Sequence, residues 1–284
     1  MAPHYNHFLP VEAQSVDVVL VSPRNPLNIG AVARAMANFG FERLTVVAPY
    51  APHWREARSA VGAPELLQNA KESATLAEAV AGCTLVIGTG TLTHRKAEQK
   101  AVPLPNAAPL LLAEMDRGGR VALVFGPEKH GLTREDLSWC QLLMEFPTDA
   151  RQPSMNLGQA VAVCLYELAS RTKAHDNTAG LMYEPKPAPS LKPVAFLKIS
   201  PIGESPIIEI SEPAAPSGRL ELLAGVIEET MAAAHYSPPS MQAANRHDLR
   251  LLLRRLAPTE RDTRRILGLF RRILWQLHQK GKSK

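Results

Sequence analysis

Residues 121–168 read VALVFGPEKHGLTREDLSWCQLLMEFPTDARQPSMNLGQAVAVCLYEL, and the way short apolar runs alternate here with polar turns decides the fold. Val121 to Phe125 is apolar throughout and too short for a helix, so it reads as a strand covered on both faces. It stops at Gly126-Pro127-Glu128, where Gly permits backbone angles that other residues resist and Pro withdraws a donor. The result is a rigid loop, closed by Gly131. Thr133 followed by Asp136 has the spacing of a capping box, with Asp in the Glu position. Leu142 to Phe146 reads as a second short buried strand, and Pro147 to Pro153 as a polar turn. Ser154-Met155-Asn156 then introduces an apolar helix running to about Ala169, with Ser154 and Asn156 both able to cap it. Two strands each followed by a loop and a helix indicate an α/β protein with a parallel sheet. In such sheets ligands bind at the carboxyl ends of the strands.

The preceding residues repeat the pattern. Val16 to Val21 is a β-branched strand, Ser22 to Pro26 a loop, and Ile29 to Phe39 carries apolar residues at helical spacing until Gly40 ends it. Asn28 can cap that helix. Arg34 lies within it, close to the strand end where a ligand face is expected. Leu44 to Ala48 is the next strand, Trp54 to Val61 and Ala74 to Ala81 read as short helices, and Pro105 to Arg117 as another. Thr84 to Gly88 is a third strand opening into Thr89-Gly90-Thr91-Leu92-Thr93. Gly88-x-Gly90 invites a dinucleotide-binding reading, which fails because Thr93 replaces the third Gly and no carboxylate follows at the required distance. A small-residue loop whose backbone approaches a cofactor is the better reading. Arg95 and Lys96 beyond it suit phosphate and solvent equally.

With 284 residues, 45% of them hydrophobic, the chain has room for one catalytic domain and a smaller companion. It lacks an uncharged apolar run of membrane-spanning length, and MAPHYNHFLP has neither the basic start nor the apolar segment of a leader, so a soluble cytoplasmic protein is expected. Cys83, Cys140 and Cys164 are widely spaced and read as buried free thiols. No metal-ligand spacing is present; His4 and His7 find no partners in the pattern.

Charge is unevenly divided. From Arg246 to Lys284 there are twelve Arg or Lys against three Asp or Glu, while the whole chain carries +5, so the remaining 245 residues sum to −4. A basic tail on a faintly acidic body points to a polyanionic partner. Residues 183–216 hold eight of the 24 prolines and read as a linker, with Val194 to Ile199 or Ile207 to Ile210 as strand-like pieces. Beyond it, Arg219 to His235, Leu249 to Leu256 and Thr259 to Leu277 read as helices. Their expected core is Leu252, Leu256, Ile266, Leu269, Phe270, Ile273 and Leu277, with Arg250, Arg254, Arg261, Arg265 and Arg272 outside. The division expected is therefore 1–172, 173–216 and 217–284. A helical unit of about sixty residues is marginal alone and should lean on the body or on a second copy.

Asn28-Ile29-Gly30 with Arg34, Phe125-Gly126-x-Glu128-x-x-Gly131-Leu132, and Ser154-Met155-Asn156-Leu157 resemble, in order, the three motifs of the SPOUT RNA methyltransferases. The likeness is closest to the TrmJ family of tRNA ribose 2′-O-methyltransferases, strong over residues 14–170 and loose over 217–279. Pro127, where the family often has a basic residue, and Met155, where Leu is common, depart from the pattern. The resemblance implies a trefoil knot in the sheet domain and S-adenosyl-L-methionine held by backbone at Thr89, Gly90, Thr91, Gly126, Phe146, Pro153, Ser154 and Met155. It implies Arg34 and Ser154 as catalytic residues, with Asn28, Arg34, Glu128 and Asn156 meeting the substrate. It further implies a homodimer acting on tRNA, at nucleotide 32 of the anticodon loop.

A ribose hydroxyl is a weak acid, so methyl transfer to it needs in-line positioning, stabilisation of the developing alkoxide and a route for the proton. Arg34 suits the phosphate beside the ribose and the oxyanion; a guanidinium does not normally surrender its proton, so it is not assigned as the base. Ser154 can orient the hydroxyl or relay its proton, besides capping a helix. Asn28, Asn156 and Glu128 suit substrate contact and loop fixation alike. The alternatives are the same chemistry on ribosomal RNA or another tRNA position, and a non-catalytic RNA-binding protein of the same fold.

Overall fold

The structure is a computed structural model and describes residues 14–90, 98–176, 212–236 and 238–282. Seven strands, β1 (Val16–Val21), β2 (Leu44–Val47), β3 (Lys71–Ser73), β4 (Leu85–Thr89), β5 (Lys100–Pro103), β6 (Val121–Phe125) and β7 (Leu142–Glu145), form one sheet in the order β3-β2-β1-β6-β4-β7-β5. Every pairing is parallel, with Val16 beside Val121, Gly88 beside Val124 and Thr89 beside Met144. The short apolar runs are therefore strands covered on both faces, as expected. Because side chains alternate along a strand, Val18 and Leu20 enter one core layer while Val19 and Val21 enter the other.

Helices α1 (Pro26–Phe39), α4 (Leu104–Asp116) and α6 (Leu157–Asp176) cover the first face through Ile29, Val32, Met36, Leu111, Val161 and Leu165. On the other, α3 (Leu76–Val80) and α5 (Arg134–Ser138) contribute Leu76, Val80 and Leu137. Helices α1 and α6 meet closely, since a Cβ on Gly158 would lie 2.8 Å from the Ala31 methyl. Helix α6 continues to Asp176, past its expected end near Ala169. Thr133 and Asp136 form the anticipated capping box, and Gly40 ends α1 at φ 80°.

Some expectations are corrected. Asn28 does not cap α1: Asn25 does, its side chain accepting from the Leu27 amide at 3.0 Å, because Pro26 has its φ already set for the first helical position. Trp54 to Val61 holds only a single 3-10 turn, Trp54–Glu56. A further helix, α2 (Pro64–Asn69), and the edge strands β3 and β5 lie where the pattern gave nothing, since Lys-Glu-Ser and Lys-Ala-Val-Pro are weak strand formers held by their neighbours. The three cysteines are buried and free. Burial pushes the Cys83 and Cys140 thiols up to about 12.

Helices α7 (Ser217–Ala233), α8 (Gln242–Leu256) and α9 (Glu260–Lys282) pack around Leu223, Ala224, Leu253 and Leu267. This reverses the expected face of α8. Leu252 and Leu256 are exposed, as are Leu269 and Ile273 of α9, whereas Arg250 and Arg254 are only 6% and 2% exposed. The reason is Trp139: both guanidiniums lie over its ring, 4.1 and 4.8 Å from the centroid, and the sheet domain and α7 together supply their hydrogen-bond partners. Arg250 bonds to Glu135 at 2.6 Å, Ser138 and Glu221; Arg254 donates to the Trp139 carbonyl and the Ser217 hydroxyl. Burial pushes the Arg254 guanidinium down to about 10, which leaves it charged at neutral pH. The amides of Ser217 and Gly218 also donate to the carbonyls of Cys83 and Ala81. The helical unit thus leans on the body. The strand-like pieces expected within 194–199 and 207–210 lie outside the described residues.

Candidate active site

Strands β6, β4 and β7 are neighbours, so the chain leaves the sheet at Gly126, Thr89 and Phe146 at adjoining points. At the end of β4 the Thr89 hydroxyl donates to the Val124 carbonyl at 3.0 Å, and the Gly90 amide to that of Met144 at 3.2 Å. These bonds fix the loop to both flanking strands. Among the described residues, a Cβ on Gly90 would meet only Leu143, at 3.7 Å. Gly126 needs to be glycine: a Cβ there would sit 2.3 Å from the Leu132 amide nitrogen, inside the loop that Gly131 closes at φ 64°. Phe146 and Met155 are half-buried on the main core, and the Thr148 hydroxyl, donating to the Pro153 carbonyl, ties the two ends of the last loop together. Thr91 lies outside the described residues.

Polar side chains join these loops to α1. The Glu128 carboxylate accepts from the amides of Arg24 at 3.1 Å and Asn25 at 3.2 Å and from the Asn28 side-chain amide at 2.8 Å. Asn28 in turn accepts from the Asn156 side chain at 3.1 Å, and Asn156 accepts from the Gly158 amide at 2.9 Å. Asn156 is therefore the residue that caps α6, in place of Ser154, which is exposed two residues earlier. Burial by itself would raise the Glu128 pKa; the bonds from Asn28 and the two amides outweigh it and hold the carboxyl below its usual range. Arg34 is exposed on α1, further along from Asn28.

The structure thus gathers Asn28, Glu128 and Asn156 into one chain of hydrogen bonds and sets the Thr89, Gly126 and Phe146 strand ends side by side. Missed from the sequence were Arg24 and Asn25, whose amides hold Glu128. The signal was there: Asn-Pro marks a cap followed by a first helical position. A cleft of about 820 Å³ opens elsewhere, at the amino ends of β1 to β3 between Asp17, Arg43, Leu44 and Lys71. Its buried carboxylate is already matched, Asp17 bonding Arg43 at 2.8 Å and Arg120 at 2.6 Å, so the strand carboxyl ends remain the better site.

Comparison with known proteins agrees with this geometry. The chain is 40% identical over 159 residues to the tRNA (cytidine/uridine/adenosine-2′-O-)-methyltransferase TrmJ of Pseudomonas aeruginosa, a span covering 54% of this chain and 60% of that protein, less than two thirds of the relative. It is 29% identical over 276 residues to the tRNA (cytidine/uridine-2′-O-)-methyltransferase TrmJ of Klebsiella pneumoniae, covering 95% and 99% of the two chains. The crystal structure of TrmJ from Z. mobilis ZM4 superposes with a TM-score of 0.69 at 27% identity, over 90% of this chain and 98% of that one. Residues 15–166, more than half of the chain, match the family described as SpoU rRNA Methylase. That span contains all seven strands, the Glu128–Asn28–Asn156 chain and Arg34, and the protein belongs to the SpoU methylase family.

Proposed function

We propose that this protein transfers a methyl group from S-adenosyl-L-methionine to a ribose 2′-hydroxyl of tRNA, at nucleotide 32 of the anticodon loop. The observation that carries the reading is the hydrogen-bonded chain from Glu128 through Asn28 to Asn156, which binds the three motif loops together at the start of the helix that carries an exposed Arg34. The near full-length likeness to TrmJ proteins supports tRNA as the substrate. S-adenosyl-L-methionine supplies, once bound, a methyl group already activated on a sulfonium. The residues that would hold it are Thr89, Gly90, Thr91, Gly126, Phe146, Pro153, Ser154 and Met155, at the adjoining ends of β4, β6 and β7 and in the loops that follow them.

Arg34 binds the phosphate beside the target ribose and stabilises the alkoxide as the hydroxyl loses its proton. Ser154 orients that hydroxyl and, being exposed, passes the proton toward solvent. Asn28, Glu128 and Asn156 keep the loops in register, and the two Asn side chains present amide groups to the nucleotide. The trefoil knot, the homodimer, the division at 172/173 and 216/217 and a cytoplasmic location belong to the same reading.

Tritiated-methyl transfer to tRNA and ribosomal RNA transcripts, followed by mass spectrometric mapping of the modified nucleotide, tests it. Incorporation into ribosomal RNA alone, which the family's description would favour, overturns the tRNA assignment. Arg34→Ala is expected to lower kcat by about 100-fold or more, the scale of losing one oxyanion donor, without moving the melting temperature. Wild-type turnover in that variant removes Arg34 from the mechanism.

A further inference from the structure

Beside the site lies a pair of side chains that the chemistry above does not use. Tyr50, on the loop after β2, is 76% exposed, and the Arg24 guanidinium stands over its ring at 5.6 Å from the centroid. Strands β1 and β2 are adjacent and parallel, so the two loops leave the sheet on its carboxyl side together. Each strand is followed at once by a residue with positive φ, Ser22 at 44° and Ala48 at 42°, which turns the loops sharply. The Tyr50 amide donates to the Pro23 carbonyl at 3.3 Å, and the next residue along, Arg24, gives its own amide to Glu128. Tyr50 is therefore held by the same loop that anchors the polar chain of the active site.

We infer that Tyr50 and Arg24 form a stacking platform for a base of the RNA strand that carries the target ribose. This rests on the methyltransferase reading and adds a contact to it. A single exposed aromatic on a protein surface is ordinary. This one differs in three respects: its backbone is tied down, it lies on the ligand side of the sheet, and the Arg24 guanidinium beside it, unlike the Arg24 amide, has no carboxylate partner among the described residues. An aromatic face offers any base a surface, and a guanidinium plane beside it can stack in turn or meet a phosphate. The chemistry fits a polyanion with flat bases and suits no acidic peptide, which would leave the ring unused.

The test is steady-state methylation of tRNA by full-length protein. Tyr50→Ala is expected to raise KM for tRNA about tenfold, as for loss of one stacked base, with a smaller change in kcat and unchanged S-adenosyl-L-methionine affinity by calorimetry. Tyr50→Phe, which keeps the ring, should restore KM to within about twofold. Arg24→Ala should raise KM and lessen its dependence on salt. Wild-type KM in Tyr50→Ala, or a Phe variant as impaired as Ala, overturns the platform while leaving the methyltransferase reading intact. Failure of the wild-type protein to methylate any RNA overturns both.

Discussion

The Glu128 carboxylate accepts three hydrogen bonds from the start of α1 and its loop, and those bonds keep it ionised. Its folded pKa lies below the ordinary 4.5, so its contribution to stability is complete above that value and disappears as pH falls through the lower folded one. Glu128→Gln is expected to cost about 1 kcal/mol at pH 7, a fall of roughly 2–4 °C in melting temperature. The gap between variant and wild type should narrow below the ordinary carboxylate range, which melting curves across pH would check. At this scale the sequence is informative: Asn28, Glu128 and Asn156 stand in the three motifs that carry the family resemblance, and the structure joins them directly. What the sequence left open was the division of labour. Ser154 and Asn156 are both good caps, and only the position of the Gly158 amide selects Asn156 and leaves Ser154 exposed.

Helix α8 is where the element scale defeats periodicity. Leu249, Leu252, Leu253 and Leu256 form one apolar stripe that the pattern would turn inward, yet Leu252 and Leu256 are exposed and the buried face is rotated onto Leu253, Arg250 and Arg254. Trp139 and Glu221 decide it by offering Arg250 and Arg254 a ring face, a carbonyl and carboxylates. Arg254→Ala is expected to destabilise the protein by about 3 kcal/mol, since the Trp139 carbonyl and Ser217 hydroxyl lose a buried donor and a cavity opens. Arg254→Met fills the volume and should cost clearly less; equal losses in denaturant titrations would mean that packing alone matters there. The strands of the sheet centre were legible because runs of four to six residues, apolar at nearly every position and bounded by turn residues, are too short for a buried helix. Edge strands β3 and β5 were not, because their pairing partners, rather than their own residues, make them strands.

Across the whole molecule the basic surplus of the C-terminal helices is divided between two tasks. Arg246 bridges Glu221 and Glu228, Arg250 pairs with Glu221 and Glu135, and Arg254 is buried, so these three serve the fold. Arg261, Arg265, Arg271 and Arg272 of α9 remain exposed for a polyanion. Replacing Arg265, Arg271 and Arg272 with Ala should weaken tRNA binding and flatten its salt dependence, each lost phosphate contact lowering the logarithmic slope by about 0.9 for a duplex region. Filter binding over a salt series measures this, and an unchanged slope would place the RNA elsewhere. The sheet itself carries a consequence for how the chain is made. Val16 pairs with Val121, so β1 cannot gain its inner neighbour until β6 has emerged from the ribosome, and β4, which binds β6 and β7, must wait as well. During synthesis β1, β2 and β3 can pair only among themselves, and the inner edge of β1 stays uncovered until the middle of the message has been translated.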